Sequence, residues 1–212
     1  MPERRVVQGP ASSPAFWAVA TLVGVALYVV LDALLKLLRP DLGLLHNPES
    51  DYGVGPYSWV MDVTFLVRCA LSLALVAALI HRIGASIAAR IGTVLIVVWA
   101  VSSGLLAFFP DNPAGTPLQP HGEVHLLLAL VGFLSVATGS VLVSIGVPLA
   151  SRRHRALLLV ISLLGVAALL ALGAAGSAYI GLLERVFLGL EMLWIALTAS
   201  IVLYWPQRTQ SA

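Results

Sequence analysis

Charge is scarce in this sequence. Of 212 residues only 10% are Asp, Glu, Lys or Arg, against 59% hydrophobic, and the mean hydropathy is +0.97. A soluble domain carries roughly a quarter charged residues, so a water-soluble globular fold is excluded. The formal net charge of +2 comes without a long basic stripe, which excludes a nucleic-acid footprint. Cysteine occurs once, at Cys69, so neither an internal disulfide nor a paired-cysteine metal or redox site can form. Within its apolar run Cys69 reads as a small buried hydrophobe. The chain also lacks a nucleophile elbow, a phosphate-binding glycine loop and a dinucleotide fingerprint. It shows no internal repeat, so the inverted-repeat signature of many transporters is missing too.

What the sequence has in their place is long apolar runs. A membrane-crossing helix needs roughly 20 mostly apolar residues, and six stretches qualify: residues 15–38, 57–80, 91–109, 120–149, 156–178 and 182–205. Short breakers separate them, among them Pro40, Pro56, Gly181 and the segment 110–120. The first run exceeds the roughly 7–15-residue core of a signal peptide, so it is expected to stay as the first span. The expected fold is all-α: a polytopic membrane protein, one domain over residues 1–212, built as a bundle of six transmembrane helices.

Orientation follows the distribution of Lys and Arg among short loops. Arg4, Arg5, Arg82, Arg90, Arg152, Arg153, Arg155 and Arg208 fall on one side, with only Lys36, Arg39 and Arg185 on the other. Both termini are therefore expected in the cytoplasm, with the chain crossing the cell's inner membrane. The acids, apart from Glu3, gather towards the outer side, as do the two long connections.

Ionisable residues within spans mark functional sites, each with a partner to be found. Asp32, Asp62, Arg68, His125 and Glu191 qualify. Helical spacing aligns Thr21, Tyr28 and Asp32 on the first span, Thr64, Arg68 and Ser72 on the second, and Glu184, Glu191 and Thr198 on the sixth. These stripes point to a shared polar cavity opening outward. Asp32 has a simpler reading as the partner of Lys36. Arg68 and Glu191 lie at equal depth on helices running the same way, so an ion pair between them is expected.

The stretch FPDNPAGTPLQPHGEVHLLLAL places His121 and His125 four residues apart, on one face with Gly132, Gly139 and Gly146. Small residues at such spacing let membrane helices approach closely, so the histidines are expected to face protein. Two histidines at this spacing suit zinc, with a third ligand drawn from His46, Asp51, Asp62, Asp111 or Glu184. Read structurally, they are interfacial side chains satisfying backbone and headgroups. Haem would need a facing histidine that only loop-borne His46 offers. The fifth span, with Gly165, Gly173 and Gly176, reads as a close-contact helix. Trp17, Trp59, Trp99 and Trp205 read as interfacial anchors, and Trp194 as a cavity residue.

Three motifs carry a resemblance: ESDYGVGPYSWVMD (residues 49–62), FPDN followed by HGEVH (109–125), and GLLERVFLGLEMLW (181–194). Together they resemble the domain-of-unknown-function 998 family of bacterial and archaeal membrane proteins. That implies six membrane helices and no assigned activity. Ser50, Asp51, Gly53, Pro110, His121, Gly122, His125, Glu184 and Arg185 match its motifs as signature positions. A more remote likeness is to membrane hydrolases of the alkaline ceramidase and adiponectin-receptor type, whose zinc is held by histidines with Ser and Asp. This chain lacks their seventh span and a second intramembrane histidine.

Three functions compete. The leading one is an outward pocket for a small amphiphile or lipid headgroup, lined by Asp51, Asp62, Arg68, His121, His125, Glu184, Arg185 and Glu191. The second makes this pocket a zinc-dependent lipid hydrolase with His121 and His125 on the metal. The third is an accessory subunit of a larger membrane complex. Membrane lipids and other membrane subunits are the expected partners, and nucleic acid is not one.

Overall fold

Helices form where the apolar runs are, and their starts are set by local caps. Proline stands at the first turn of α1 (Pro14–Leu38) and of α4 (Pro120–Gly146), where its missing N–H removes nothing from the helix. Serine hydroxyls cap the next two: Ser86 accepts from Ala89 N–H ahead of α3 (Ile87–Leu106), and Ser151 from His154 N–H ahead of α5 (Arg152–Ala174). α2 (Ser58–Leu79) follows Tyr57, whose φ of 64° is left-handed. α6 spans Ile180–Tyr204. A computed structural model describes residues 13–113, 116–148, 151–176 and 178–204 of the chain. Arg4, Arg5, Arg208 and Trp205 lie outside the described residues.

All six helices are long and apolar enough to cross a membrane. Each boundary falls within four residues of its expected span. The largest shifts are at α3 and α5, because the serine caps draw flanking arginines into the first turn. Each helix packs on the next, and α6 packs on α1 to close a ring, with α2 and α6 also meeting across it. The connections 39–57 and 107–119 and the α5–α6 turn share one end of the bundle, called here the site end.

The α3–α4 seam is the most extensive. A Cβ built on Gly92 would lie 2.8 Å from the Val143 nitrogen and 2.9 Å from the Gly139 oxygen, so the two backbones touch. Gly132 and Gly139 face α3 in the same way, as their spacing implied. The inward stripes largely hold: Thr21, Tyr28, Thr64, Arg68, Ser72, Glu184, Glu191 and Thr198 are all buried, while Asp32, the last of the first stripe, is only half-buried. Outside, Val23, Val30, Leu37 and Leu170 are among the large apolar side chains left exposed, as a lipid-facing surface requires.

Three expectations change. α5 is no close-contact helix at its site end, since a Cβ on Gly173 or Gly176 would meet nothing within 4 Å. Trp99 is not an interfacial anchor: it is 1% exposed and donates to Ser72 Oγ at 3.1 Å. Trp194 is equally buried and donates to Ser144 Oγ at 2.9 Å. A buried indole needs an acceptor, and serines supply both, from the adjacent α2 for Trp99 and from α4 across the bundle for Trp194.

Candidate functional site

The long connection between α1 and α2 does not stay on the surface. Two arginines clamp it. Arg39 Nη1 donates to the Val54 oxygen at 2.8 Å while its Nε and Nη2 grip Asp41. Arg185 Nη1, from α6, donates to the oxygens of Leu44, Asn47 and Gly181 at 3.0, 2.6 and 3.0 Å. The Leu45 oxygen accepts the free N–H groups of Gly181 and Leu182, capping α6. Gly181 is required here, because any Cβ would strike the Asn47 carbonyl. So held, the chain turns at Pro48 into a short 3-10 helix, Glu49–Gly53, which lowers Glu49 and Tyr52 into the bundle.

Glu49 is 3% exposed and joins three helices. The Tyr28 hydroxyl of α1 donates to its Oε2 at 2.8 Å. Arg68 Nη1 of α2 lies 3.8 Å from the same oxygen, a charge contact beyond hydrogen-bond reach. The Glu49 backbone N–H donates to Glu184 Oε2 of α6 at 3.1 Å. Arg68 also donates from Nε to Ser103 Oγ at 3.1 Å, and its guanidinium lies over the rings of Trp99 and Phe65 at 4.7 and 5.1 Å. Burial pushes the Glu49 carboxyl up to about 7, with Asp32 adding to the rise and Arg68 opposing it. Asp51, two residues on, accepts from the Asn47 amide at 2.7 Å, and burial raises its carboxyl as well.

The third motif element comes from the connection before α4. His125 Nδ1 lies 2.7 Å from the Phe109 oxygen. A carbonyl only accepts, so Nδ1 carries the proton and Nε2 is left for other work. That Nε2 is 3.8 Å from Asp111 Oδ2, which accepts from Ser50 Oγ at 3.0 Å. Gly122 lets Asn112 pack on the first turn of α4, where a Cβ would lie 2.5 Å from its Oδ1.

These groups meet at a cavity of about 190 Å³. Its polar wall is Glu49, Ser50, Arg68, Asp111, His125 and Glu184. Its apolar wall includes Met61, Phe65, Leu106, Phe133, Leu172 and Ile180. Of the expected site residues, Arg68, His125 and Glu184 are brought together here. Asp51 sits behind the wall, and Asp62 and His121 line neither this cavity nor its neighbour. Arg185 clamps the connection and faces the neighbouring space.

Glu191 is elsewhere, and the expected Arg68–Glu191 ion pair does not form. Arg68 has Glu49 as its partner. The Glu191 carboxyl lies against α5, where a Cβ on Gly165 would come 2.6 Å from Oε1. Among the described residues neither of its oxygens accepts a hydrogen bond, and the nearby Ser140 hydroxyl, which could reach it, is directed to the Ala137 oxygen at 3.1 Å. Asp32 pairs with Lys36, as its simpler reading held. Glu49, Ser50 and Asp111 now enter the site. The ESDYG and FPDN motifs contain all three; Asp111 also stood among the candidate third zinc ligands, whereas motif membership alone marked Glu49 and Ser50. Among the described residues no group of three or more His, Cys, Asp or Glu side chains is arranged to hold a metal ion.

A family profile described as protein of unknown function (DUF998) matches residues 22–201. No curated protein and no solved structure matches the chain.

Proposed function

Starting from the fact that the chain belongs to the DUF998 family of membrane proteins of unknown function, we propose that its cavity binds a small amphiphile or lipid headgroup. The observation that supports this is the division of the cavity wall. One side carries a cation, three carboxyls and an imidazole, and the other is aliphatic and aromatic. A ligand matching both is polar at one end and apolar at the other. Leu126, half exposed on α4, belongs to the same lining, so an apolar ligand part has a path from the bilayer.

Filling the cavity tests the reading. Ala129 lines it, and Ala129→Phe should empty it of ligand. Solvent extraction of purified protein followed by mass spectrometry should recover an amphiphile from the unaltered chain and little from the variant. Identical extracts from two equally folded proteins would sink the idea. The hydrolytic alternative draws on the free Nε2 of His125 beside Asp111. Among the described residues no three such side chains are arranged to hold zinc, so binding is the reading proposed.

The bias of arginines towards the opposite end of the bundle supports an outward-facing cavity. A fluorescent reporter that matures only in the cytoplasm, fused after Ala212, should glow. A dark, stable fusion whose phosphatase counterpart is active would reverse the assignment.

A further inference from the structure

Between α1 and α6 runs a second space of about 330 Å³, which shares only Glu49 with the first cavity. Its deeper walls are apolar, with Val25, Leu188, Met192 and Ala196. Val29 and Leu193, also in its lining, are exposed on the outside of the bundle, so the crevice opens sideways to the lipid. Gly189 lines it too, and a Cβ there would meet nothing within 4 Å.

The polar end of the crevice is chemically incomplete. Arg185 spends Nη1 on three carbonyl oxygens and lies over the Tyr52 ring at 5.7 Å, while its buried Nε and Nη2 have no hydrogen-bond partner among the described residues. Lys36 occupies Oδ2 of Asp32, and among the described residues the buried Oδ1 accepts from no fixed N–H or O–H donor, with the Glu49 carboxyl close by. Both residues lie roughly 8–9 Å inside their helix ends at 1.5 Å rise per residue. Two donors and one acceptor are therefore unsatisfied at one level, and apolar walls continue below them. Buried polar atoms left unpaired are costly, so an occupant that pairs them is favoured over lipid tails alone.

We propose that this crevice binds one glycerophospholipid whose headgroup combines a phosphate with a primary ammonium. The phosphate accepts from Arg185 Nε and Nη2. The ammonium donates to Asp32 Oδ1. One acyl chain lies along the open face of Gly189, between α1 and α6. A glycerol headgroup offers no cation to Asp32, and a choline headgroup has no N–H to donate. The assignment is independent of what fills the first cavity.

The test is photolabelling of the full-length protein in phosphatidylcholine vesicles. The probe is phosphatidylethanolamine with a diazirine in one acyl chain. Labels should fall on peptides containing residues 25–29 and 192–196. Unlabelled phosphatidylethanolamine should compete about ten-fold better than phosphatidylglycerol, the effect of one charge-assisted hydrogen bond. Gly189→Leu places a side chain in the crevice without a backbone clash and should abolish labelling. Asp32→Asn should bring the two competitors level, which keeps the proposal decidable should Gly189→Leu not fold. Equal competition in the unaltered protein overturns the assignment. So does labelling that a folded Gly189→Leu retains, or labelling confined to residues 126–133 of the other cavity.

Discussion

Replacing Arg68 with Met lowers the unfolding free energy at pH 8 by about 3–5 kcal/mol, the loss seen when one partner of a buried ion pair is removed. Arg68 is 2% exposed and is the cation beside Glu49. Without it the Glu49 carboxylate has only the Tyr28 hydroxyl, and Trp99 and Phe65 lose the group between them. The penalty depends on pH through Glu49, whose folded-state value is raised from 4.5 to about 7. A raised acid stabilises the fold fully below its unfolded value, and that contribution is lost as pH rises through the folded one. The unaltered protein should therefore lose stability between pH 4.5 and about pH 7, and Glu49→Gln should flatten that slope. Arg68→Met should be less harmful at pH 5 than at pH 8, and adding Glu49→Gln should restore part of the loss. Denaturant titrations of purified protein at the two pH values read all of this. A penalty below about 1 kcal/mol, the scale of an exposed pair, or one indifferent to pH, would show that the pair does not hold the site.

The second large effect is at the α3–α4 seam. Helix propensity alone favours Ala over Gly by about 1 kcal/mol, so Gly92→Ala ought to help if space allowed. It does not, because the nearest atoms are the backbone of Val143 and Gly139, which cannot rotate aside. Overpacking costs about 1–3 kcal/mol, and Gly92→Ala should come out destabilising within that range, with Gly92→Leu worse. Gly173→Ala, facing open space, serves as the control and should be neutral to stabilising, by up to about 1 kcal/mol. If the two alanine variants unfold alike, the seam is looser than its geometry says.

The fold was legible because its signals are local. Six apolar runs become six helices, and residues seven apart, such as Glu184, Glu191 and Thr198, share a face whatever surrounds them. The site was legible only in part. Arg68, His125 and Glu184 announce themselves as charged or titratable groups on helices. Glu49 does not, because its burial is imposed by Arg39 and by Arg185, far along the chain, and no periodicity records that. The pairing of Arg68 with Glu191 failed for the same reason. Depth along a span can be read from sequence, but the direction a side chain takes around the ring cannot, nor can a connection that dips between helices. Gly173 and Gly176 mislead in the opposite way: small residues permit close approach without a neighbour having to be there.

The hydrogen bond from the Glu49 N–H to Glu184 joins residues 135 apart in sequence. At about 5–20 residues per second, a ribosome needs roughly 7–27 s to cover that interval. For that time the segment at Glu49 has neither the Arg185 clamp nor the Leu45 contact with Gly181, since both wait for the last helix. A segment made early is thus seated late. The polar wall of the cavity is therefore complete only once α6 has been made and has docked.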